Sequence, residues 1–392
     1  MTNPFSFAVA PTRLTAAWKR RGAVGIVAPS YGTEKVSYGL RPSGFSFHKV
    51  TRLPVHRLEK QGTFWHNTPL VWDAPVELVH TFNELPCGVR PFVVSFENEL
   101  PRYLGHPKSW QLDIGLRLLE SERCRRILAL SQAAANALGQ RLAEHGLQSV
   151  MNKVCVFRGA VLSVPQGDAR PSRQGRPLRV LFVGRDAFGK GLLPTLDALD
   201  DCRAQGTQID ATIVCNFEPR HYISKGYPVD AARLVARMQA MPGVNYHDRL
   251  PNREIHRLMQ SHDVLLFPTL DESLGWVAVE AALAAMPIIT TDIFAIPELV
   301  VDGQTGVLIP IRKNDLARWV GLWMEGVEFE NEVADTFHAI RHNLTRALLG
   351  FAENPDRTAA MGNAAREHVE SLYGFTRVQS QLAGIYSAAL GR

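Results

Sequence analysis

The chain has 392 residues, of which 46% are hydrophobic and 21% charged, with a net charge of +5. That is an ordinary globular composition, too long for one core, so two or three domains are expected and a disordered or fibrous chain is excluded. No apolar run approaches the roughly 18–20 residues that a membrane-spanning helix needs.

The N-terminal MTNPFSFAVAPTRL has no basic region before its apolar patch and makes a poor signal peptide. Five cysteines without CxxC or other metal spacing predict reduced thiols in a cytoplasm and no metal site. The charge is uneven: residues 1–175 hold 22 Lys+Arg against 12 Asp+Glu, and residues 176–392 hold 21 against 26. A basic first half predicts an anionic partner: a membrane surface met peripherally on its inner face, or a phosphorylated acceptor. Nucleic acid is set aside, because no recognition motif accompanies the charge. The bland alternative is that the charge only keeps the protein soluble.

Residues 1–70 carry few signals. Lys19, Arg20 and Arg21 form a basic cluster, Val24–Ala28 reads as a short strand, Pro29–Gly32 as its loop, and Phe45–Val55 alternates like a half-buried strand. From Val76 the pattern becomes regular. Strands are expected at Val76–His80, Pro91–Phe96, Arg126–Leu130 and Lys153–Phe157. Helices are expected at Leu112–Glu122 and from the N-cap Ser131 to Gly146. Residues 164–177, VPQGDARPSRQGRP, read as a domain linker.

The alternation then restarts. Strands are expected at Leu178–Val183, Asp210–Cys215, Val244–His247, Val264–Phe267 and Pro287–Thr290. Helices are expected after Gly189-Lys190-Gly191, at Ala231–Ala240, after an Asn252 cap, at Leu274–Ala285, from Asn314 to Trp323, and at 355–371 and 375–389. The acidic run 325–336 reads as a local insertion. Strands alternating with helices mean parallel sheets covered on both faces, and such sheets bind ligands at the carboxyl ends of their strands.

Three features fall at such ends in the second half. Gly184-Arg185 followed by Lys190 puts two cations and three glycines at a strand–loop–helix junction, which suits a diphosphate. A solvated loop is the bland alternative. Glu272-Ser273-Leu274-Gly275 with Glu280 puts two carboxylates around a helix N-terminus, where they can accept hydrogen bonds from sugar and ribose hydroxyls. The neighbours of Glu280 are all apolar, and a buried carboxylate needs a partner. Ile296-Pro297-Glu298 adds a third carboxylate near the same edge, of a kind that is more often structural.

With Gly184-Arg185, Lys190-Gly191, the Glu272-x7-Glu280 spacing, Gly275 and Glu298 in view, residues 178–311 resemble the donor-binding domain of GT-B glycosyltransferases of the retaining family-4 type (group 1). The closing helices fit the same family. The resemblance is good over about 125–392 and weak over 1–75. It implies an α/β fold of two Rossmann-like domains facing a cleft. These would be an acceptor-side domain 1–165, a linker 166–177, a nucleotide-sugar domain 178–372 and a crossover helix 373–392 returning to the first domain.

It implies a cytoplasmic retaining glycosyltransferase acting between a nucleotide-diphosphate sugar and a hydroxyl acceptor, saccharide or lipid-linked, in polysaccharide or glycoconjugate synthesis, with no cofactor and no metal. Arg185 and Lys190 would hold the pyrophosphate, Glu272 the transferred sugar, Glu280 the ribose, and Gly275 an oxygen of the diphosphate or sugar, with Gly184, Leu274 and Glu298 completing the donor pocket. From the first domain, His80 and Glu97 are catalytic candidates, with Glu99 and Arg102 alongside. Leu274 replaces a usual Phe, Ala285-Met286 replaces a Gly before Pro287, and no glycine-rich loop follows the first strand. A non-catalytic nucleotide-sugar-binding or assembly protein, or a sugar-nucleotide epimerase, are the alternatives.

Overall fold

The structure is a computed structural model that describes residues 22–27, 33–58, 63–71, 75–103, 107–161 and 175–392. The basic cluster Lys19 to Arg21, the loop Pro29 to Gly32 and most of the linker expected at 166–177 lie outside the described residues. Two compact units form: Met1–Leu128 with Gly146–Phe157 and Thr376–Arg392, and Ala129–His145 with Arg158–Phe375.

The first unit holds a six-stranded sheet of β1 (Ala23–Val27), β2 (Ser46–Val50), β3 (Leu78–Phe82), β4 (Phe92–Phe96), β5 (Cys124–Ala129) and β6 (Val154–Val156), in the order β2-β1-β3-β4-β5-β6. β1 pairs in parallel with β2 and β3, and β3 with β4. All five residues of β4, FVVSF, are fully buried, as a parallel strand covered on both faces must be. α1 (Phe64–Asn67) is a single turn and α2 (Ser109–Glu120) precedes β5, while α3 (Gln132–Glu144), which follows β5, belongs to the second unit. Ser131 caps α3 as expected, its Oγ accepting the Ala134 N–H at 3.0 Å. β3 runs two residues beyond the expected VELVH end, because the buried Thr81 and the half-buried Phe82 stay paired with β4.

In the second unit follow β7 (Leu178–Gly184), α4 (Leu192–Ala204), β8 (Ile209–Cys215), α5 (His221–Ser224), α6 (Ala231–Ala240), β9 (Val244–His247), α7 (Asn252–Ser261), β10 (Val264–Phe267), α8 (Trp276–Leu283), β11 (Ile288–Thr291), β12 (Gly306–Ile309), α9 (Gly326–Glu353) and α10 (Pro355–Tyr373); α11 (Phe375–Ala389), which closes the chain, belongs to the first unit from Thr376 on. The sheet order is β12-β11-β10-β7-β8-β9, all pairs parallel. Phe182, Phe188 and Phe267 are fully buried, each contributing on the order of 1.5–3 kcal/mol. The chain order reverses between β7 and β10, and that reversal is where open α/β sheets hold their ligands.

Two expectations need correction. No helix spans Asn314 to Trp323; only Val320–Trp323 makes a 3-10 turn. Trp319 is fully buried, and its Nε1–H donates to Glu332 Oε1 at 3.2 Å and Thr336 Oγ1 at 3.0 Å. Burying that indole with its N–H satisfied outweighs a weak local helical pattern. The acidic run 325–336 is no insertion but the start of α9, a 28-residue helix. Val333, Ile340, Leu344 and Leu348 recur at helical spacing and are buried, while most of the acidic residues stay on the open face near the positive end of the helix dipole. Asn252 is the first residue of α7 rather than its cap, since Pro251 precedes it in extended conformation.

Candidate functional site

β7 ends at Gly184 and hands the chain to a tight loop in which the Lys190 N–H donates to the Asp186 carbonyl at 2.9 Å and the Gly191 N–H to that of Phe188 at 3.0 Å. Gly191 has φ +71°, and a Cβ there would sit 2.3 Å from the Pro268 carbonyl oxygen, so only glycine lets this loop meet the loop after β10. The two loops are further joined by the Leu270 N–H donating to the Gly189 carbonyl at 2.8 Å. A Cβ on Gly184 would collide with the Lys190 stem at 2.8 Å. That missing Cβ gives the lysine its path.

Lys190 is only 6% exposed. Its Nζ donates to Glu272 Oε2 at 2.6 Å, Thr269 Oγ1 at 3.2 Å and the Asp271 carbonyl at 3.3 Å, and it lies 5.1 Å from the centre of the Phe267 ring. Burial pushes the Glu272 carboxyl up, but the Lys190 charge and hydrogen bond, with Arg220 and the Ser273 N–H, outweigh it and hold the carboxyl below its ordinary value. Glu272 stays anionic and partly open, with the Lys190 Nζ hydrogen-bonded beneath it. Arg185 is exposed, with no ion partner among the described residues.

Gly275 starts α8 in the left-handed region at φ +80°, and a Cβ there would meet Ile296 Cδ1 at 3.0 Å and Phe267 Cε1 at 3.5 Å. Ser273, Trp276 and Val277 remain partly open around that helix N-terminus, whose free N–H groups favour an anion. Thus Gly184, Arg185, Lys190, Glu272 and Gly275 share the carboxyl edge at the β7/β10 reversal. Glu280, on α8, is 9% exposed, with its Oε2 3.6 Å from His256 Nε2 on α7.

Three expected donor or catalytic residues are placed elsewhere. Leu274 is 1% exposed and packs into the core, so its side chain is not on the open face. Glu298 accepts the Gln132 and Ala133 N–H groups at 3.0 and 2.9 Å and an Arg158 guanidinium N–H at 2.6 Å. Both of its oxygens serve the N-terminus of α3, where a carboxylate opposes the helix dipole. His80 lies inside β3, fully buried, sharing hydrogen bonds with Tyr386 Oη at 2.7 Å and Ser95 Oγ at 2.8 Å. Burial lowers its pKa to about 3. It is a neutral core residue because β3 extends past it to Phe82. Glu97 does follow a strand end: its Oε1 accepts from Arg102 Nη1 at 3.0 Å and its N–H donates to Asn83 Oδ1 at 3.2 Å.

Sequence reading missed the second ring around the Lys190–Glu272 pair. Asp271 accepts from Tyr222 Oη at 2.7 Å and Arg318 Nη1 at 3.0 Å. The Arg318 guanidinium stacks 3.8 Å over the Phe294 ring, and Arg220 stands near Glu272 and Asp271 and is hydrogen-bonded to Tyr222. Arg318 lies in the stretch mistaken for a helix, and no spacing rule links it or Arg220 to Asp271.

The fold is GT-B, two α/β units each built on a six-stranded parallel sheet. It is shared with HepE from Anabaena in complex with UDP-glucose (TM-score 0.59, 14% identity, covering 93% of this chain and 99% of that one) and with sucrose-phosphate synthase from Thermosynechococcus elongatus (TM-score 0.57, 13% identity, 93% and 98%). Residues 177–321, within the second unit, match the model of the family Glycosyl transferases group 1. Similar proteins include a D-inositol 3-phosphate glycosyltransferase of Streptomyces coelicolor, 28% identical over 42% of this chain and 30% of that protein. Another is a glycogen synthase of Mycobacterium tuberculosis, 26% identical over 56% and 45%. The match thus spans about a third to a half of the curated relatives' own length.

Proposed function

We propose that the protein is a glycosyltransferase that moves a sugar from a nucleotide-diphosphate sugar to an acceptor hydroxyl with retention. The observation that carries this reading is the buried Lys190–Glu272 pair, 2.6 Å apart, at the strand-order reversal of the unit that matches the group 1 family. A pyrophosphate at this edge meets Arg185, Lys190 and the N-terminus of α8. Those positive groups stabilise the charge that builds on the departing diphosphate. Glu272, kept anionic, accepts hydrogen bonds from hydroxyls of the transferred sugar and fixes its orientation. Glu280 serves the ribose hydroxyls from α8. The relatives' names concern inositol phosphate and glycogen chemistry, and the HepE complex holds UDP-glucose. They support a nucleotide-linked hexose as donor and a role in polysaccharide or glycoconjugate synthesis.

The test is a thermal-shift screen of UDP-, ADP- and GDP-glucose followed by donor hydrolysis, with the anomer of the first-formed product read by NMR. A transferase releases sugar slowly to water with the donor's anomeric configuration. Binding without any release would make the protein a nucleotide-sugar binder, and the opposite anomer would overturn retention.

A further inference from the structure

We propose that the first unit carries a saccharide-binding platform made of the indole faces of Trp65 and Trp110, with Glu97 and Arg102 as its polar partners. On the glycosyltransferase reading above, this makes the acceptor itself a carbohydrate. Trp65 is 36% and Trp110 46% exposed, among the largest apolar side chains left open in the unit.

Neither ring is loose. Both meet the buried Phe64 ring edge-on, at 5.0 and 5.1 Å, and Phe64 packs 5.2 Å from Tyr103. Tyr103 Oη shares a hydrogen bond of 2.8 Å with Thr68 Oγ1, and the Asn67 amide donates to the Arg102 carbonyl. These bonds tie α1 to the loop after β4. That loop carries the half-open Glu97–Arg102 ion pair, which the Asn83 side chain joins from the end of β3. The strand order reverses between β1 and β3; Asn83 follows β3 and Glu97 follows the adjacent β4, so the polar partners stand at the carboxyl ends of strands, the edge where such sheets hold ligands.

The chemistry selects a sugar ring. A pyranose offers an apolar C–H face and a rim of hydroxyls. Rigid aromatic faces take the first at little entropy cost, and a carboxylate beside a guanidinium takes vicinal hydroxyls as acceptor and donor. An anionic lipid surface is a poorer match, because the exposed Asp113 stands one helical turn from Trp110 on α2, and Arg102 is already paired with Glu97.

The experiment is saturation-transfer NMR and tryptophan fluorescence on the full chain, with maltotriose and methyl α-glucopyranoside as probes. Transfer to ring C–H protons of at least one probe is expected, with affinity at least fivefold weaker in Trp65→Ala and in Trp110→Ala and partly retained in Trp65→Phe. The thermal shift caused by nucleotide sugar stays as in the wild type, which also shows that the variants fold. No transfer from either probe, or affinity unchanged in both alanine variants, overturns the platform. So does tryptophan-dependent binding to phosphatidylglycerol vesicles in place of saccharide. Saccharide binding by a chain that neither binds nor hydrolyses a donor sinks the transferase reading and leaves the platform standing. The reverse result does the opposite.

Discussion

Lys190 and Glu272 show what a buried ion pair is for when it sits under an open edge. On the proposed reading, the pair would keep the Lys190 Nζ partnered until a diphosphate arrives to share it. Lys190→Gln is expected to lower kcat at least about 100-fold, the cost of removing one group that stabilises transition-state charge. Circular dichroism and the melting temperature separate this from unfolding, and near-wild-type turnover would remove Lys190 from catalysis. Glu280→Ala is expected to weaken nucleotide-sugar affinity severalfold in calorimetry; unchanged affinity would make Glu280 a structural residue only.

His80 makes a different prediction. Its folded pKa of about 3 lies below the unfolded value near 6.5. The neutral ring therefore stabilises the fold above pH 6.5, and that stability drains away as pH falls toward 3. Between pH 7 and pH 5 this amounts to about 2 kcal/mol, at roughly 1.4 kcal/mol per pH unit below 6.5. In urea titrations His80→Gln should lose that acid slope while donor hydrolysis keeps its pH profile.

At the scale of elements, the loops after β7 and β10 are one structure held by glycines. Gly191→Ala brings a Cβ to 2.3 Å from the Pro268 carbonyl in a left-handed backbone. It should cost about 1–3 kcal/mol and weaken donor binding, because the loops must part. Equal affinity in calorimetry would contradict that coupling. Glu298→Ala should cost about 1–2 kcal/mol through the N-terminus of α3 and leave the donor KM unchanged. A large KM effect would restore it to the donor pocket.

At the scale of the whole molecule, the chain leaves the first unit and returns to it with Thr376–Arg392. Tyr386 of α11 is fully buried, 5.2 Å from the Phe45 ring and 6.0 Å from that of Phe47, with its hydroxyl on His80. Removing residues 376–392 strips this cover from the sheet, so the truncated chain is expected to lose soluble expression or protease resistance in the first unit. Tyr386→Phe, which only orphans His80 Nδ1, should cost about 1–3 kcal/mol. Among the described residues no helix is long and apolar enough to cross a membrane.

The sequence by itself determined the alternating strands and helices, the reversal-point motif from Gly184 to Lys190, and the carboxylates at Glu272 and Glu280. These are short-range features: a period, a glycine where a loop must close, a charge at a strand end. Tertiary structure decided what depends on partners distant in the chain. Glu298 serves α3 because residues some 165 positions earlier end there. His80 is neutral because packing buries it, with a tyrosine 306 residues away as its hydrogen-bond partner. Arg318 and the Arg220–Tyr222 segment gather on Asp271 from separate parts of the chain. The stretch around Trp319 gives up its helix to bury an indole. A carboxylate or imidazole reads alike in sequence whether it will face a ligand or a helix end. Burial and the partner that satisfies it set its role, and both are fixed only when the chain packs.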